Sequence, residues 1–201
     1  MNLLNKLKLV TGFKKEKEKN ENEINHYKVL PNDSLDVIFA KTLIQNNGNF
    51  FYCDNKNDLI KTLQALTKNA NIEMLYCTEN ILQELLHKCN LDFSPKNNNC
   101  DAILSSCEYL IAHQGKVMLS SKQLGANNIK NLPQHHIIIA YTSQIVKSLN
   151  EGMSGINMRY IDNLPSTITT IKSSKKNNKD SFDGNIKKLS ILLIEDFQNE
   201  K

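Results

Sequence analysis

Four consecutive residues near the middle of the chain carry side chains suited to holding a small polar ligand. These are His113, Gln114, Gly115 and Lys116. They separate two apolar stretches, residues 109–112 and 117–120, so the pattern predicts a β-hairpin with Gly115 at the turn position that needs a positive φ. Imidazole, amide and ammonium groups on this tip could hydrogen-bond a small carboxylate, although an exposed polar turn has the same composition.

Two serines and one histidine are the remaining candidates for ligand binding. Ser120 and Ser121 close the second strand of the hairpin, where they either contact a ligand or satisfy backbone groups. His136 stands at the start of an aliphatic strand, either as a general base or as a buried structural histidine. Its neighbour His135 would point to the opposite face of that strand, so the two histidines do not predict a metal site.

No motif in the sequence assigns catalysis or a cofactor. The five cysteines are far apart and never form Cys-x-x-Cys, which favours buried, reduced thiols over an iron–sulfur or zinc site. Walker, dinucleotide-binding, zinc-protease and nucleophile-elbow patterns are absent from the sequence. We therefore predict no metal and no cofactor, and we name no catalytic residue.

The charge distribution argues against a nucleic-acid partner. The net charge is only +4, and lysines crowd into two short segments, residues 14–19 and 172–179. Arg159 is the only arginine in the chain, and arginine is the side chain best suited to grip a carboxylate with two bonds. Any anion site is therefore expected to use lysine, hydroxyl or backbone N–H groups.

The elements that must position these residues alternate between strands and helices. A helix is predicted over residues 33–47. Residues 49–53 and 73–77 are predicted strands that both end in Tyr-Cys, and each leads into a helix, with Asp54 and Thr78 as the capping residues. Repeated strand–helix units favour a parallel sheet whose ligand sites lie beyond the carboxyl ends of the strands.

The second half of the chain is predicted to add the hairpin and further strands. Aliphatic residues predict strands over 136–141, 167–171 and 188–195, and Thr142 or Ser143 is expected to cap a helix after the first of these. The predicted fold class is α/β, with a mainly parallel sheet, flanking helices and a β-hairpin insertion.

Three segments are predicted along the chain. Residues 1–26 combine a short amphipathic helix with a charged linker, residues 27–197 form the α/β domain, and residues 198–201 are a tail. The longest apolar runs are strand-sized, and the first residues lack the apolar core of a secretory signal. We expect a cytoplasmic protein without a membrane span.

Residues 101–153 resemble the central block of the LUD-domain family, the family of lactate utilization protein C. The resemblance runs through residues 110–121, residues 132–140 and residues 142–149. It implies a fold similar to that of ribose-phosphate isomerase and coenzyme A transferases. It also implies a role in the oxidation of L-lactate to pyruvate, with separately encoded iron–sulfur lactate utilization proteins as partners.

The chain departs from the family pattern at two points. Relatives carry an acidic residue and two threonines around the turn glycine, where this chain has His113, Gln114 and Lys116. Relatives then have Gly-Pro-Ser-Arg-Thr-Ala-Asp where residues 172–180 read Lys-Ser-Ser-Lys-Lys-Asn-Asn-Lys-Asp. Loss of the glycine, proline and arginine removes both the backbone geometry and the charge that could hold an anion.

Three functions stay open at this stage. The first is an accessory component of a lactate utilization system that binds a partner protein and a small organic acid. The second is a small-molecule enzyme of the isomerase or coenzyme A transferase type, for which Glu108 is the candidate carboxylate near the hairpin. The third is a non-catalytic binding relative that has lost the family's anion site.

Overall fold

The computed structural model describes residues 27–125, 127–173, 185–186 and 188–195. The predicted amino-terminal helix and linker (1–26) and the predicted tail (198–201) therefore lie outside the described residues, as do residues 174–184. The predicted limits of the α/β domain stay a prediction.

Helices and strands alternate through the first half of the described chain, and strands dominate the second half. The helices are α1 (Leu35–Gln45), α2 (Lys56–Asn69), α3 (Asn80–Lys88), α4 (Ser121–Leu124) and α5 (Leu149–Arg159). The strands are β1 (Asn49–Cys53), β2 (Met74–Tyr76), β3 (Asp92–Ser94), β4 (Ala102–Ser105), β5 (Tyr109–Ile111), β6 (Lys116–Ser120), β7 (His135–Tyr141), β8 (Ile145–Val146), β9 (Ile168–Ser173), β10 (Asn185–Ile186) and β11 (Lys188–Ile194).

The larger sheet has six parallel strands in the order β1-β11-β7-β4-β2-β3. The predicted α/β class with a mainly parallel sheet is confirmed. The two strands that end in Tyr-Cys run parallel, as the repeat predicted, but three strands lie between them. Since all six strands point the same way, every strand ends at one edge of the sheet, which we call the carboxyl edge.

The predicted hairpin is real, but it forms the centre of a second sheet rather than an isolated insertion. Strands β5 and β6 pair antiparallel, and β8, β9 and β10 extend them to five strands in the order β10-β9-β6-β5-β8. The strand predicted over residues 167–171 is β9, but its pairing with β6 joins distant parts of the sequence and has no local signal.

Three apolar layers hold the sheets and helices together. Helices α2 and α3 cover one face of the parallel sheet, and the second sheet together with α1 covers the other. A smaller cluster of Ile111, Met118, Val146 and Ile156 joins the second sheet to α5. Four of the five cysteines are buried in these layers and all are free thiols, which agrees with the expected structural role.

The structure corrects the predicted helix caps and the predicted start of the last helix. Asn55 caps α2 by accepting a hydrogen bond from Asp58 N (2.9 Å), and Glu79 rather than Thr78 precedes α3. The helix expected after Tyr141 starts only at Leu149, where Ser148 caps it. Residues Ile145–Val146 form a strand instead.

One glutamine explains why no helix begins directly after Tyr141. The Gln144 side chain accepts a hydrogen bond from Tyr141 N (2.8 Å) and donates one to the Cys107 carbonyl (2.6 Å). These two bonds fix a single 3₁₀ turn (Thr142–Gln144) beside the end of β4. The chain then runs into the second sheet, where Ile145 pairs with Leu110.

Candidate functional site

Glu108 is a fully buried carboxylate at the carboxyl edge of the parallel sheet. It lies three residues after the end of β4 and immediately before β5, and its side chain is 0% exposed. Burial of a charge is costly unless hydrogen bonds and an opposite charge compensate for it. The residues around Glu108 supply both.

Four side chains donate hydrogen bonds to the Glu108 carboxylate. Ser120 Oγ (2.7 Å) and Gln123 Nε2 (3.1 Å) bond to Oε1, and Arg159 Nη1 (3.1 Å) bonds to Oε2. The Tyr160 hydroxyl lies 3.3 and 3.2 Å from the two oxygens. Burial, together with the Glu108 charge, raises the pKa of Tyr160, so this phenol keeps the proton that it donates.

Arg159 forms the boundary between this buried carboxylate and solvent. Its guanidinium pairs with Glu108 while its side chain is 43% exposed. Nη2 also donates to the Tyr109 hydroxyl (3.2 Å), and Cζ lies 5.1 Å from the centroid of the Tyr109 ring. Glu108 and Tyr109 therefore hold the guanidinium, while part of the Arg159 side chain stays exposed to solvent.

A second cation, the Lys122 ammonium, packs against the ring of Tyr160. Lys122 Nζ lies 4.0 Å from the centroid of the Tyr160 ring, and Arg159 Cζ lies 6.0 Å from the same centroid. Both distances are within the range of cation–π attraction. We call Glu108, Lys122, Arg159 and Tyr160 the Glu108 cluster.

A second carboxylate lies at the same edge. Glu79 follows the end of β2, and both of its oxygens accept hydrogen bonds from Ser106, one from N (2.7 Å) and one from Oγ (2.5 Å). Burial, with a smaller effect of the Glu108 charge, raises the pKa of Glu79. Cys107 lies between Ser106 and Glu108 in the sequence. Burial raises the pKa of its thiol, which therefore stays protonated and unreactive at neutral pH.

The hairpin tip lies at the opposite edge of the parallel sheet and packs on α1. Asn46, which follows α1, donates a hydrogen bond from Nδ2 to the Gln114 carbonyl (2.9 Å). Gly115 has φ 56°, as predicted, and a Cβ there would lie 2.8 Å from backbone atoms of Thr42 and Leu43. Gly115 therefore faces a helix and not an open cleft, which corrects the expectation of ligand access beside it.

The other predicted ligand residues are divided between the two edges. His113 and Gln114 are exposed and Lys116 is half-buried at the tip. Ser120, at the far end of β6, belongs to the buried network around Glu108. Ser121 follows it and accepts a hydrogen bond from Ser166 N (3.2 Å). Their roles in ligand binding stay predictions, but the seven predicted residues do not form one site.

His136 lies at the amino edge, away from the Glu108 cluster. It is the second residue of β7, pairs with Ile103 and Leu189, and is 0% exposed. Among the described residues, no group forms a hydrogen bond with either ring nitrogen. Burial, and then the neighbouring His135, lower the pKa of His136 to about 3, against a smaller opposing effect of the Pro133 carbonyl. A neutral structural imidazole fits this setting better than a base.

Sequence reasoning missed most of the Glu108 cluster. Glu108 was considered only as a possible nucleophile, and Arg159 was noted only because it is the single arginine. Its partners are separated by 12 to 52 positions in the sequence, so no local spacing connects them. The usable signal was the presence of one arginine in a chain that otherwise uses lysine, because a lone arginine suggests a position where lysine does not suffice.

The described residues offer no obvious metal centre and no membrane helix. Within residues 27–125, 127–173, 185–186 and 188–195, no group of three or more His, Cys, Asp or Glu side chains could hold a metal ion. No helix in the same ranges is both long and apolar enough to cross a bilayer. What the cluster can do is hold one fixed guanidinium and one ammonium at the surface.

The fold and this edge together define an α/β protein with a parallel six-stranded sheet and, at its carboxyl edge, a buried glutamate paired with a partly exposed arginine. A family model described as LUD domain matches residues 90–188, and this match supports membership of the LUD-domain family. The matched segment contains all four residues of the Glu108 cluster.

The fold is similar to that of a solved structure. This is a DUF162 family protein from Deinococcus radiodurans, with a TM-score of 0.57 and 15% sequence identity. The match covers 88% of this chain and 99% of that protein. At this identity the likeness concerns the fold alone. A search of curated proteins gave no match.

Proposed function

We propose that this chain is a cytoplasmic accessory component of a lactate utilization system, in which L-lactate is oxidised to pyruvate. The observation that carries the proposal is the LUD-domain match over residues 90–188. In this proposal electron transfer belongs to separate iron–sulfur lactate utilization proteins, and the present chain binds such a partner together with a small organic acid.

The Glu108 cluster supports a role with a small organic acid. It lies at the carboxyl edge of a parallel sheet, where ligands of open α/β proteins bind. Its half-exposed guanidinium is suited to a carboxylate, the group that lactate and pyruvate share. The cluster therefore supports acid binding by this chain, and in this proposal the oxidation step stays with the partner proteins.

Co-purification from native extract, combined with growth on L-lactate, tests the proposal. We expect the tagged chain to recover an iron–sulfur protein and its deletion to slow growth on L-lactate but not on glucose. Recovery of the chain alone, together with normal growth of the deletion strain on L-lactate, would contradict it.

A second candidate is a small-molecule enzyme of the isomerase or coenzyme A transferase type. The position of Glu108 at the carboxyl edge favours it, because a transferase needs a carboxylate there. Its complete burial under Arg159 and Tyr160 argues against direct attack on a substrate. Transferase activity lost in Glu108→Ala but kept in Glu195→Ala, with both variants folded, would establish this candidate. Absence of both turnover and saturable acid binding would identify the third candidate, a non-catalytic relative that has lost the family's anion site.

A further inference from the structure

We infer that Lys122 and Arg159, held against Tyr160, form a binding site for one small carboxylate, and that Glu108 is the residue that positions the arginine. The inference rests on the proposed function for the choice of lactate-type acids, but the site itself follows from the geometry. It differs from the expectation that an anion site in this chain would do without arginine.

Arg159 is fixed in one orientation before any ligand arrives. Glu108, itself 0% exposed, pairs with Nη1, and Tyr109 accepts a hydrogen bond from Nη2. A guanidinium has more N–H groups than these contacts use, and 43% of the side chain remains exposed. A planar, preorganised guanidinium with N–H groups left over from these contacts fits a planar carboxylate, which can accept two parallel bonds from it.

Lys122 is connected to the same carboxylate through α4. Ser120 donates from Oγ to Glu108 (2.7 Å) and accepts from the Lys122 N–H (3.1 Å) at the start of that helix. Gln123 completes the cap by accepting from Ser120 N (2.7 Å) and donating to Glu108 (3.1 Å). Glu108 therefore fixes both the guanidinium and the backbone that carries the lysine.

The charge balance at this site suits a ligand with one negative charge. Two cations face one buried carboxylate, which leaves one positive charge next to solvent. Glu79, the other carboxylate at this edge, is bound by Ser106, and among the described residues no ion pair joins it to Lys122 or Arg159. A monocarboxylate neutralises the remaining charge, whereas the doubly charged form of phosphate would exceed it while lying close to Glu108.

Isothermal titration of the full chain with L-lactate, pyruvate and inorganic phosphate, at constant ionic strength, tests the site. We expect saturable binding of a carboxylate that is tighter than binding of phosphate. Lys122→Gln should weaken carboxylate binding about tenfold, as for loss of one charged contact. Arg159→Lys keeps the charge but loses the planar fork, so it should weaken binding at least as much. Lys61→Gln, an exposed lysine on α2 across the sheet, is the matched control and should bind normally.

Glu108→Gln tests the positioning role with a readout that a merely structural role would not move. Removal of the buried negative charge raises the local charge, so the preference should shift from carboxylate towards phosphate, by about tenfold. A loss of stability without this shift would contradict the positioning role.

The inference fails if neither acid binds saturably, if phosphate binds more tightly than both acids to the unmodified chain, or if Lys122→Gln and Lys61→Gln bind equally well. Its failure is separable from that of the proposed function. If the purified chain binds a carboxylate in a Lys122-dependent way, but the deletion strain grows normally on L-lactate, the site is supported and the lactate role is contradicted. Absent binding together with recovery of an iron–sulfur partner contradicts only the site.

Discussion

Two buried polar groups, at opposite edges of the same parallel sheet, differ in how the protein accommodates them. At the carboxyl edge, Glu108 receives hydrogen bonds on both oxygens and an ion pair from Arg159. At the amino edge, both ring nitrogens of His136 lack a hydrogen bond among the described residues, and the ring stays neutral.

The difference shows which buried group is built into a network and which is tolerated. A neutral imidazole can be buried among aliphatic side chains at moderate cost, whereas a carboxylate requires dedicated donors. Those donors come from the end of β6, from α4, from the end of α5 and from the residue after it, so four parts of the chain meet to hold Glu108. Such convergence, with one cation left at the surface, is the reason to place function at the carboxyl edge.

The largest effect that would sharpen this contrast comes from Arg159→Ala. This variant leaves the Glu108 carboxylate buried without its ion pair, so the free energy of unfolding should fall by about 3 kcal/mol, the low end for a buried pair, because Arg159 is 43% exposed. Urea denaturation followed by circular dichroism measures the loss. Lys61→Ala is the control and should change stability by less than about 0.5 kcal/mol. If Arg159→Ala lowered the free energy of unfolding by as little as this control, the ion pair with Glu108 would not stabilise the fold.

Acid should destabilise the protein through the histidines of the amino edge. The pKa of His136 is lowered to about 3 and that of His135 to about 4, in both cases mainly by burial. Between these values and the ordinary histidine pKa of 6.5, the unfolded chain binds more protons than the folded one. Stability present above pH 6.5 should therefore fall as the pH is lowered towards 4, by on the order of 3 kcal/mol for His136 alone.

His136→Leu isolates that contribution. Its unfolding free energy should change less between pH 7 and pH 4 than that of the unmodified protein, because a neutral apolar side chain takes up no proton. Denaturant melts of both proteins across this pH range provide the comparison. Parallel pH profiles would show that His136 does not resist protonation as its burial implies.

Gly115→Ala separates the packed hairpin tip from the site. Alanine would have to adopt the positive φ of Gly115, and its Cβ would lie 2.8 Å from the backbone of α1. The free energy of unfolding should therefore fall by about 2 kcal/mol. Binding of small carboxylates to the folded fraction should stay unchanged. A selective loss of carboxylate binding with normal stability would return the ligand site to the tip.

Local patterns predicted the sheet better than the site. The alternation that precedes Cys53 and Cys77 marks strands that each lead into a helix, and both strands joined one parallel sheet. Pairing of β5 with β8 depends on Gln144 side-chain bonds that no periodicity reveals. The Glu108 network joins residues up to 52 positions apart, so its members looked unrelated in the sequence.

The hairpin tip shows how little adjacency in sequence says about location in the fold, and the ligand-binding role of its residues stays a prediction. His113, Gln114 and Lys116 looked like a ligand-binding set because they are adjacent in sequence and polar. In the folded chain the same turn covers the end of α1, and its glycine is required by that close approach. Sequence adjacency gave these residues a shared location, but it could not show which edge of the sheet they would occupy.

Chemical-shift mapping of the isotope-labelled full chain during titration with L-lactate is the most direct test of the carboxyl-edge site. The account predicts that the largest changes in backbone amide shifts fall around Glu108, Lys122 and Arg159, with little change at residues 113–116. Changes centred on residues 113–116 or on His136, or no saturable change at any residue, would contradict it.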